Sequence, residues 1–270
     1  MTAAAARAAH LIVDNPPLIF ADTVASAILG AQAEELISYH RHNGSHVVLS
    51  SARAAVVTRS RFTEDRLAQA VRRGVGQYVI LGAGLDTFAY RTELNVKVFE
   101  VDHPKTQEWK RTLLTNAAIP EKATYVPVDF EADSLIDNLI HNGFAPAEPA
   151  LVSWLGVTMY LTQEAISHTL AQIAQCAPGT EIILDYMLPA ELRDTRGQTY
   201  VDMVAPVAAE HGEPWLTFFR PHDMTALLAH HGFETVSNVN QHESVNEELW
   251  NRSDALAFSV LSMIAYARLL

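Results

Sequence analysis

Four apolar, mostly β-favouring residues, Tyr78-Val79-Ile80-Leu81, run straight into Gly82-Ala83-Gly84 and then Leu85-Asp86-Thr87. A segment of that composition suits the middle of a parallel sheet. The two glycines let the backbone turn sharply and approach a ligand without Cβ interference. The run predicts a buried strand, a glycine turn and a helix start, the arrangement at which nucleotide-like ligands bind in α/β folds. The plain alternative is a structural turn that holds nothing.

The local charge narrows the ligand. A dinucleotide turn reads G-x-G-x-x-G, its third glycine allowing close strand and helix packing around a pyrophosphate. Here Thr87 holds that third place and Asp86 precedes it. A carboxylate in the turn repels a pyrophosphate and suits a cationic ligand, such as the amino group or sulfonium of S-adenosylmethionine. A second acidic stop, Val98-Phe99-Glu100-Val101-Asp102, puts Asp102 20 residues after Gly82. A strand-end carboxylate at that spacing grips ribose hydroxyls in either cofactor class.

At 270 residues and 49% hydrophobic content, the chain can bury a full core as one α/β domain with embellishments. Its net charge of −12 disfavours a surface that tracks phosphates, so no nucleic-acid partner is expected. The single cysteine, Cys176, cannot form an intrachain disulfide and reads as a buried helix residue. No apolar run reaches the ~18 residues of a membrane span, and the start lacks a charged leader, so no membrane partner and a cytoplasmic location are expected.

Residues 1–75 predict an N-terminal helical cap, broken at Asn43-Gly44-Ser45, and residues 76–270 a core with a lid insertion near 187–220. Strands are expected at 78–81, 96–101, 124–128, 150–154, 181–186, 234–240 and 257–267. Helices at 104–117, 162–175 and 221–231 alternate with them, the last two stopping at Pro178-Gly179 and Gly232. Such alternation means βαβ units on a largely parallel sheet.

The ordered motifs Thr58-Arg59-Ser60-Arg61-Phe62, ILGAGLDTFAYR at 80–91, FEVDHP at 99–104, VDF at 128–130, SWLGVTMYLT at 153–162 and GEPWLTFFRP at 212–221 carry a resemblance. The chain resembles the leucine carboxyl methyltransferase and polyketide O-methyltransferase family of S-adenosylmethionine enzymes, from about Val47 to Phe233. The resemblance implies a Rossmann-like class I methyltransferase fold: α/β, a seven-stranded, mostly parallel sheet with one antiparallel edge strand, plus the helical cap. It also implies that Gly82 and Gly84 line the methionine end of the cofactor, Asp86 lies near its positive groups, and Asp102 takes the ribose hydroxyls. By the same resemblance Asp129 faces the adenine amino group, Phe130 packs on the ring, and Arg59 pairs with the cofactor carboxylate. Outside that context Asp129 reads as a cap for a helix near Asp133, Phe130 as core, and Arg59 as part of a solvated face with Arg53, Arg61, Glu64, Asp65 and Arg66. One departure stands out: Leu155 occupies a place where many relatives carry a glutamate.

Methyl transfer is an in-line displacement, so the protein has to align the acceptor oxygen and exclude water. A carboxylate acceptor needs no base, whereas a hydroxyl does, with Tyr160, His211 and His103 as candidates by position. Tyr160, Tyr200, Trp215, Phe219 and Arg220 are expected to line the acceptor site, the aromatics suiting an apolar or aromatic acceptor and Arg220 a carboxylate. Ordinary packing is the competing reading of those aromatics. His40, His42 and His46 flank a turn without a carboxylate or thiolate at ligand spacing, so no metal is expected. Ser153 lacks the preceding glycine of a nucleophile elbow.

The leading expectation is an S-adenosylmethionine-dependent O-methyltransferase, yielding S-adenosylhomocysteine and acting on a carboxylate or hydroxyl of a small organic molecule, as a monomer or homodimer. A non-catalytic S-adenosylmethionine or small-ligand binder on the same fold is the alternative, motivated by Leu155. A nicotinamide oxidoreductase rests only on the G-x-G and Asp102, and Asp86 and Thr87 undercut it.

Overall fold

The structure, a computed structural model, describes residues 1–130 and 133–270. Seven strands make one sheet: β1 Gln77–Leu81, β2 Lys97–Asp102, β3 Thr124–Pro127, β4 Ala150–Trp154, β5 Glu181–Met187, β6 Phe233–Asn240 and β7 Ser262–Leu269. Their order is β3-β2-β1-β4-β5-β7-β6. β1 to β5 pair in parallel, and β7 runs antiparallel to both β5 and β6. The antiparallel strand expected at the edge is thus β7, one place inside the outermost strand β6.

β1, β4 and β5 are buried along their whole length, as parallel strands covered on both faces must be. Alternate residues of each strand feed opposite cores. Val79, Leu81, Phe99, Val101 and Val152 join the cluster of Leu139, Ile166 and Leu170 on one face. Tyr78, Ile80, Val98, Leu151 and Ile183 join Phe62, Leu67 and Leu114 on the other.

Four helices precede the sheet: α1 Thr2–Val13, α2 Ala25–Ile28, α3 Ala33–Asn43 and α4 Val47–Arg72. Between the strands come α5 Phe88–Arg91, α6 Pro104–Asn116, α7 Leu135–His141, α8 Gln163–Ile173, α9 Thr195–Glu210 and α10 Pro221–His230. Local chemistry sets their ends. The Thr162 hydroxyl accepts from the Ala165 N–H at 3.2 Å to open α8, and the Asp194 carboxylate accepts from the Gly197 N–H at 2.6 Å to open α9. Pro221 starts α10, and Gly232 at φ +84° stops it.

Three expectations need correction. The apolar stretch from 257 does not become strand until Ser262: Leu256 is used in the core of the cap, and the Ser259 N–H is taken by the Gln241 side chain at 3.1 Å. Cys176 is buried but lies in the turn beyond α8. Asp129 does not cap α7; Ser134 does, its hydroxyl accepting from the Asp137 N–H.

Candidate functional site

The glycine turn is held from three sides. The Gly82 and Ala83 N–H groups donate to the Val101 carbonyl at 2.8 and 3.1 Å, and the Gly84 N–H donates to Asp102 Oδ2 at 2.6 Å. The cap supplies the rest: Arg7 Nη2 donates to the Leu85 carbonyl at 2.7 Å, and the Thr87 hydroxyl donates to Asp22 Oδ2 at 2.6 Å. Asp22 in turn takes the Arg7 Nε–H at 2.7 Å. Burial opposes ionising Asp22, but the Arg7 charge and the bonds from Thr87 and Arg7 win, leaving its pKa lowered. Gly82 and Gly84 sit at φ +65° and +46°. A Cβ on Gly82 would lie 2.4 Å from Val157 Cγ2, so no other residue fits there without displacement.

Around this turn is a cavity of about 180 Å³, lined by Arg59, Gly82, Gly84, Asp86, Ser153 and Leu155 together with Ala3, Ala4 and Arg7 of α1. The cap and the sheet therefore share its walls. Asp86 Oδ1 accepts from the Phe88 N–H at 2.8 Å, which opens α5 and leaves Oδ2 without a hydrogen bond among the described residues. Arg59 donates through Nη1 to Asp185 Oδ2 at 2.8 Å, and its side chain is 18% exposed. Its helix sorts the competing charges: Arg61 pairs with Asp65 on the exposed face, Arg53 is buried against Asp14, and Arg66 lies over Phe62. Leu155 lines the cavity and packs against the core cluster that contains Ile80 and Leu151, contributing no charge.

This donor set fits S-adenosylmethionine. A guanidinium with spare N–H groups suits the amino-acid carboxylate, Asp86 suits the positive groups, and Asp102, at the end of β2 and outside the cavity's lining, is a carboxylate of the kind that hydroxyls donate to. Asp102 is also the acceptor for Gly84 and, at 2.7 Å, for the His103 N–H. One strand further, Asp129 and Phe130 follow β3, with the Asp129 N–H donating to Asp133 Oδ2 at 2.9 Å and Phe130 half-buried against the core.

Beyond β4 and β5 lies an aromatic cluster. Met159, Met187 and Leu261 are buried, with Tyr160, Tyr200, Trp215 and Phe218 packed on them. Tyr200 of α9 stacks on Trp215 at 6.4 Å and 21°. Burial and the negative charge of Glu213 push the Tyr160 phenol up. Four residues nominated from sequence fall elsewhere. Phe219 turns into the core against Tyr186, ring centroids 6.3 Å apart. Arg220 is exposed and paired with Glu191. His211 is exposed beyond α9, its Nδ1 against the Val207 carbonyl at 2.7 Å. His103 is the exposed N-cap of α6, accepting from the Lys105 N–H at 3.2 Å.

His40 is buried beside Arg53, and burial together with that charge lowers its pKa to about 4. No three His, Cys, Asp or Glu side chains among the described residues are arranged to hold a metal ion. Ser153 is buried against the Tyr78 hydroxyl at 2.8 Å. No helix among the described residues is long and apolar enough to cross a membrane.

Asp185, Gly156, Asp22 and Arg7 escaped the sequence reading. The N–H of Gly156 donates to Asp185 Oδ1 at 2.6 Å. The available signals were the acidic residue near the end of a predicted strand and the arginine within the alanine-rich start, neither specific in isolation.

Comparison with known proteins adds to this geometry. A sequence profile of the family described as leucine carboxyl methyltransferase matches residues 1–174. A protein of Bacillus subtilis (strain 168), YktD, named as a candidate S-adenosyl-L-methionine-dependent methyltransferase, is 32% identical over 216 residues, 77% of this chain and 70% of that one. Rv3787c of Mycobacterium tuberculosis (strain ATCC 25618 / H37Rv), named in the same way, is 31% identical over 253 residues, 88% of this chain and 81% of that one. In fold, the chain is similar to a crystallised DUF574 family protein from Streptomyces avermitilis, with TM-score 0.61 and 15% identity over 98% of this chain and 97% of that one.

Proposed function

Because the chain belongs to the leucine carboxyl methyltransferase family, and is thereby an S-adenosylmethionine-dependent methyltransferase, we propose that it methylates the carboxylate of a small, apolar or aromatic acceptor. The observation that carries this reading is an aromatic cluster without a usable base among the described residues. The raised phenol of Tyr160 does not ionise near neutral pH, and His103 and His211 are exposed and turned to backbone groups. A hydroxyl acceptor needs its proton removed, whereas a carboxylate arrives ionised at neutral pH.

S-adenosylmethionine, when bound, supplies the electrophilic methyl group. The chain's own part is to hold and orient. The glycine turn and Arg59 line the cavity, and outside that lining the stacked Tyr200 and Trp215 would offer the acceptor a flat apolar surface with few rotatable bonds.

The test is methyl transfer from labelled S-adenosylmethionine to matched pairs of aromatic carboxylic acids and phenols. The expected product is a methyl ester, which alkali cleaves to methanol. A base-stable ether formed from the phenols, with no ester from the acids, would overturn the carboxylate assignment. Trp215→Ala is expected to raise acceptor KM about 10-fold, the scale of losing one aromatic contact, while leaving S-adenosylhomocysteine affinity within twofold.

A further inference from the structure

We propose that Asp185 is the positioning residue that aims Arg59 at the carboxylate of the cofactor. This inference rests on the methyl-transfer reading above and concerns a residue outside the motifs that identify the family.

β4 ends at Trp154, which is paired with Leu184 of β5, so Asp185 is the first β5 residue beyond that pairing and reaches over the loop that follows β4. Its two carboxylate oxygens do different things. Oδ2 accepts from Arg59 Nη1 at 2.8 Å, and Oδ1 accepts from the Gly156 N–H at 2.6 Å. Its backbone carbonyl accepts from the Thr158 hydroxyl, also at 2.6 Å.

Gly156 is the surface on which the guanidinium rests. Its φ is +72°, and a Cβ there would lie 2.6 Å from Arg59 Nη2 and 2.9 Å from Nη1. A single carboxylate therefore fixes both the cation and the peptide beneath it. Asp185 is only 5% exposed, so its carboxylate is held away from water against this partner.

Arg59 comes from α4 and crosses to the sheet, a link spanning 126 residues of sequence. An arginine has five N–H donors, and one of Arg59's is hydrogen-bonded within the described residues. Arg59 itself lines the cavity, together with Gly82 and Gly84. Because the Arg59–Asp185 pair is close to neutral overall, it offers an incoming carboxylate directed donors rather than net charge. Their direction is what Asp185 sets. The positive amino group and sulfonium of the same ligand meet little repulsion from a cation already compensated.

The test compares two ligands by titration calorimetry: S-adenosylhomocysteine, which carries the amino-acid carboxylate, and 5′-methylthioadenosine, which does not. Asp185→Asn keeps an oxygen for Gly156 but removes the charge that holds Arg59. It is expected to weaken S-adenosylhomocysteine about 10-fold, the scale of one charge-assisted hydrogen bond, and to leave methylthioadenosine within twofold. In an Arg59→Met background the same substitution should cost less than about twofold, because the two residues act as one unit. Equal losses for both ligands, or an unchanged affinity for S-adenosylhomocysteine, would overturn the proposal. Wild-type protein that binds neither ligand would overturn the methyl-transfer reading itself, and this inference with it.

Discussion

At Gly82 two constraints coincide, a backbone at φ +65° and a neighbouring Val157 methyl where a side chain would begin. Gly82→Ala is expected to lower stability by about 1–3 kcal/mol through strain and overpacking, read as a lower urea midpoint, and to weaken S-adenosylhomocysteine binding. Asp102 acts on the same turn from the other side. Asp102→Ala removes the acceptor of the Gly84 N–H along with the strand-end carboxylate, and calorimetry should show cofactor affinity falling by about 10-fold or more. Retention of wild-type affinity in that variant would refute the assignment of Asp102. These positions were legible because their chemistry is local, the glycines, the acidic stop and the strand before them lying within a short stretch. Asp185 and Arg7 were not, since their partners Arg59 and Leu85 lie 126 and 78 residues away. A lone acidic residue in a strand reads the same whether it faces solvent or a buried guanidinium.

Among the elements, the junction of α1, α3 and α4 contains a polar network sealed from water. Arg53 binds both oxygens of Asp14 at 2.8 and 2.9 Å, and His10 Nδ1 lies 2.8 Å from the same carboxylate. Since His10 Nε2 accepts from the Ile19 N–H at 3.1 Å, the imidazole proton sits on Nδ1 and is donated to Asp14. His40 completes the group, and its behaviour gives a pH signature. In the unfolded chain it protonates near pH 6.5, whereas in the fold its pKa is about 4. The unfolded state thus binds the extra proton first, and stability should fall as pH drops from about 6.5 toward about 4. His40→Asn, which keeps an acceptor for Arg53, is expected to flatten that decline in urea midpoints. A slope unchanged by the substitution would place the acid sensitivity elsewhere. Asp14 acts in the same sense: burial opposes its ionisation, yet the bonds from His10 and Arg53 leave its pKa lowered, so its contribution is present above the unfolded carboxylate value and lost as pH falls through the folded one. Strands and helices near the glycine turn could be read to within a residue or two, because burial period and caps are written locally. The late apolar stretch misled for a physical reason: Leu256 serves the cap's core instead of the sheet, and composition does not say which core a leucine enters.

At the scale of the whole molecule, the connection between β6 and β7 ties the two ends of the fold together. Arg252 donates to the Asn15 and Pro17 carbonyls at 2.6 and 2.8 Å, and Asp254 accepts from the Asn15 N–H at 2.6 Å. Val245, Leu249 and Trp250 pack beside Leu256 on Ile19, Phe20 and Val57. Arg252→Ala is expected to cost about 1–3 kcal/mol and to speed amide exchange at residues 14–22 more than in the sheet, since two backbone carbonyls lose their charged donor. Uniform acceleration across the protein would contradict a local clamp. The order of the strands carries one more consequence. β7 lies between β5 and β6 although it is the last of the three to be synthesised. On the ribosome, β6 therefore emerges before its partner β7, while β1 to β5, all earlier in the chain, can already pair in the parallel ladder that carries the glycine turn. The half of the sheet that meets the ligand can assemble cotranslationally, and the far edge must wait for a single insertion event to close it.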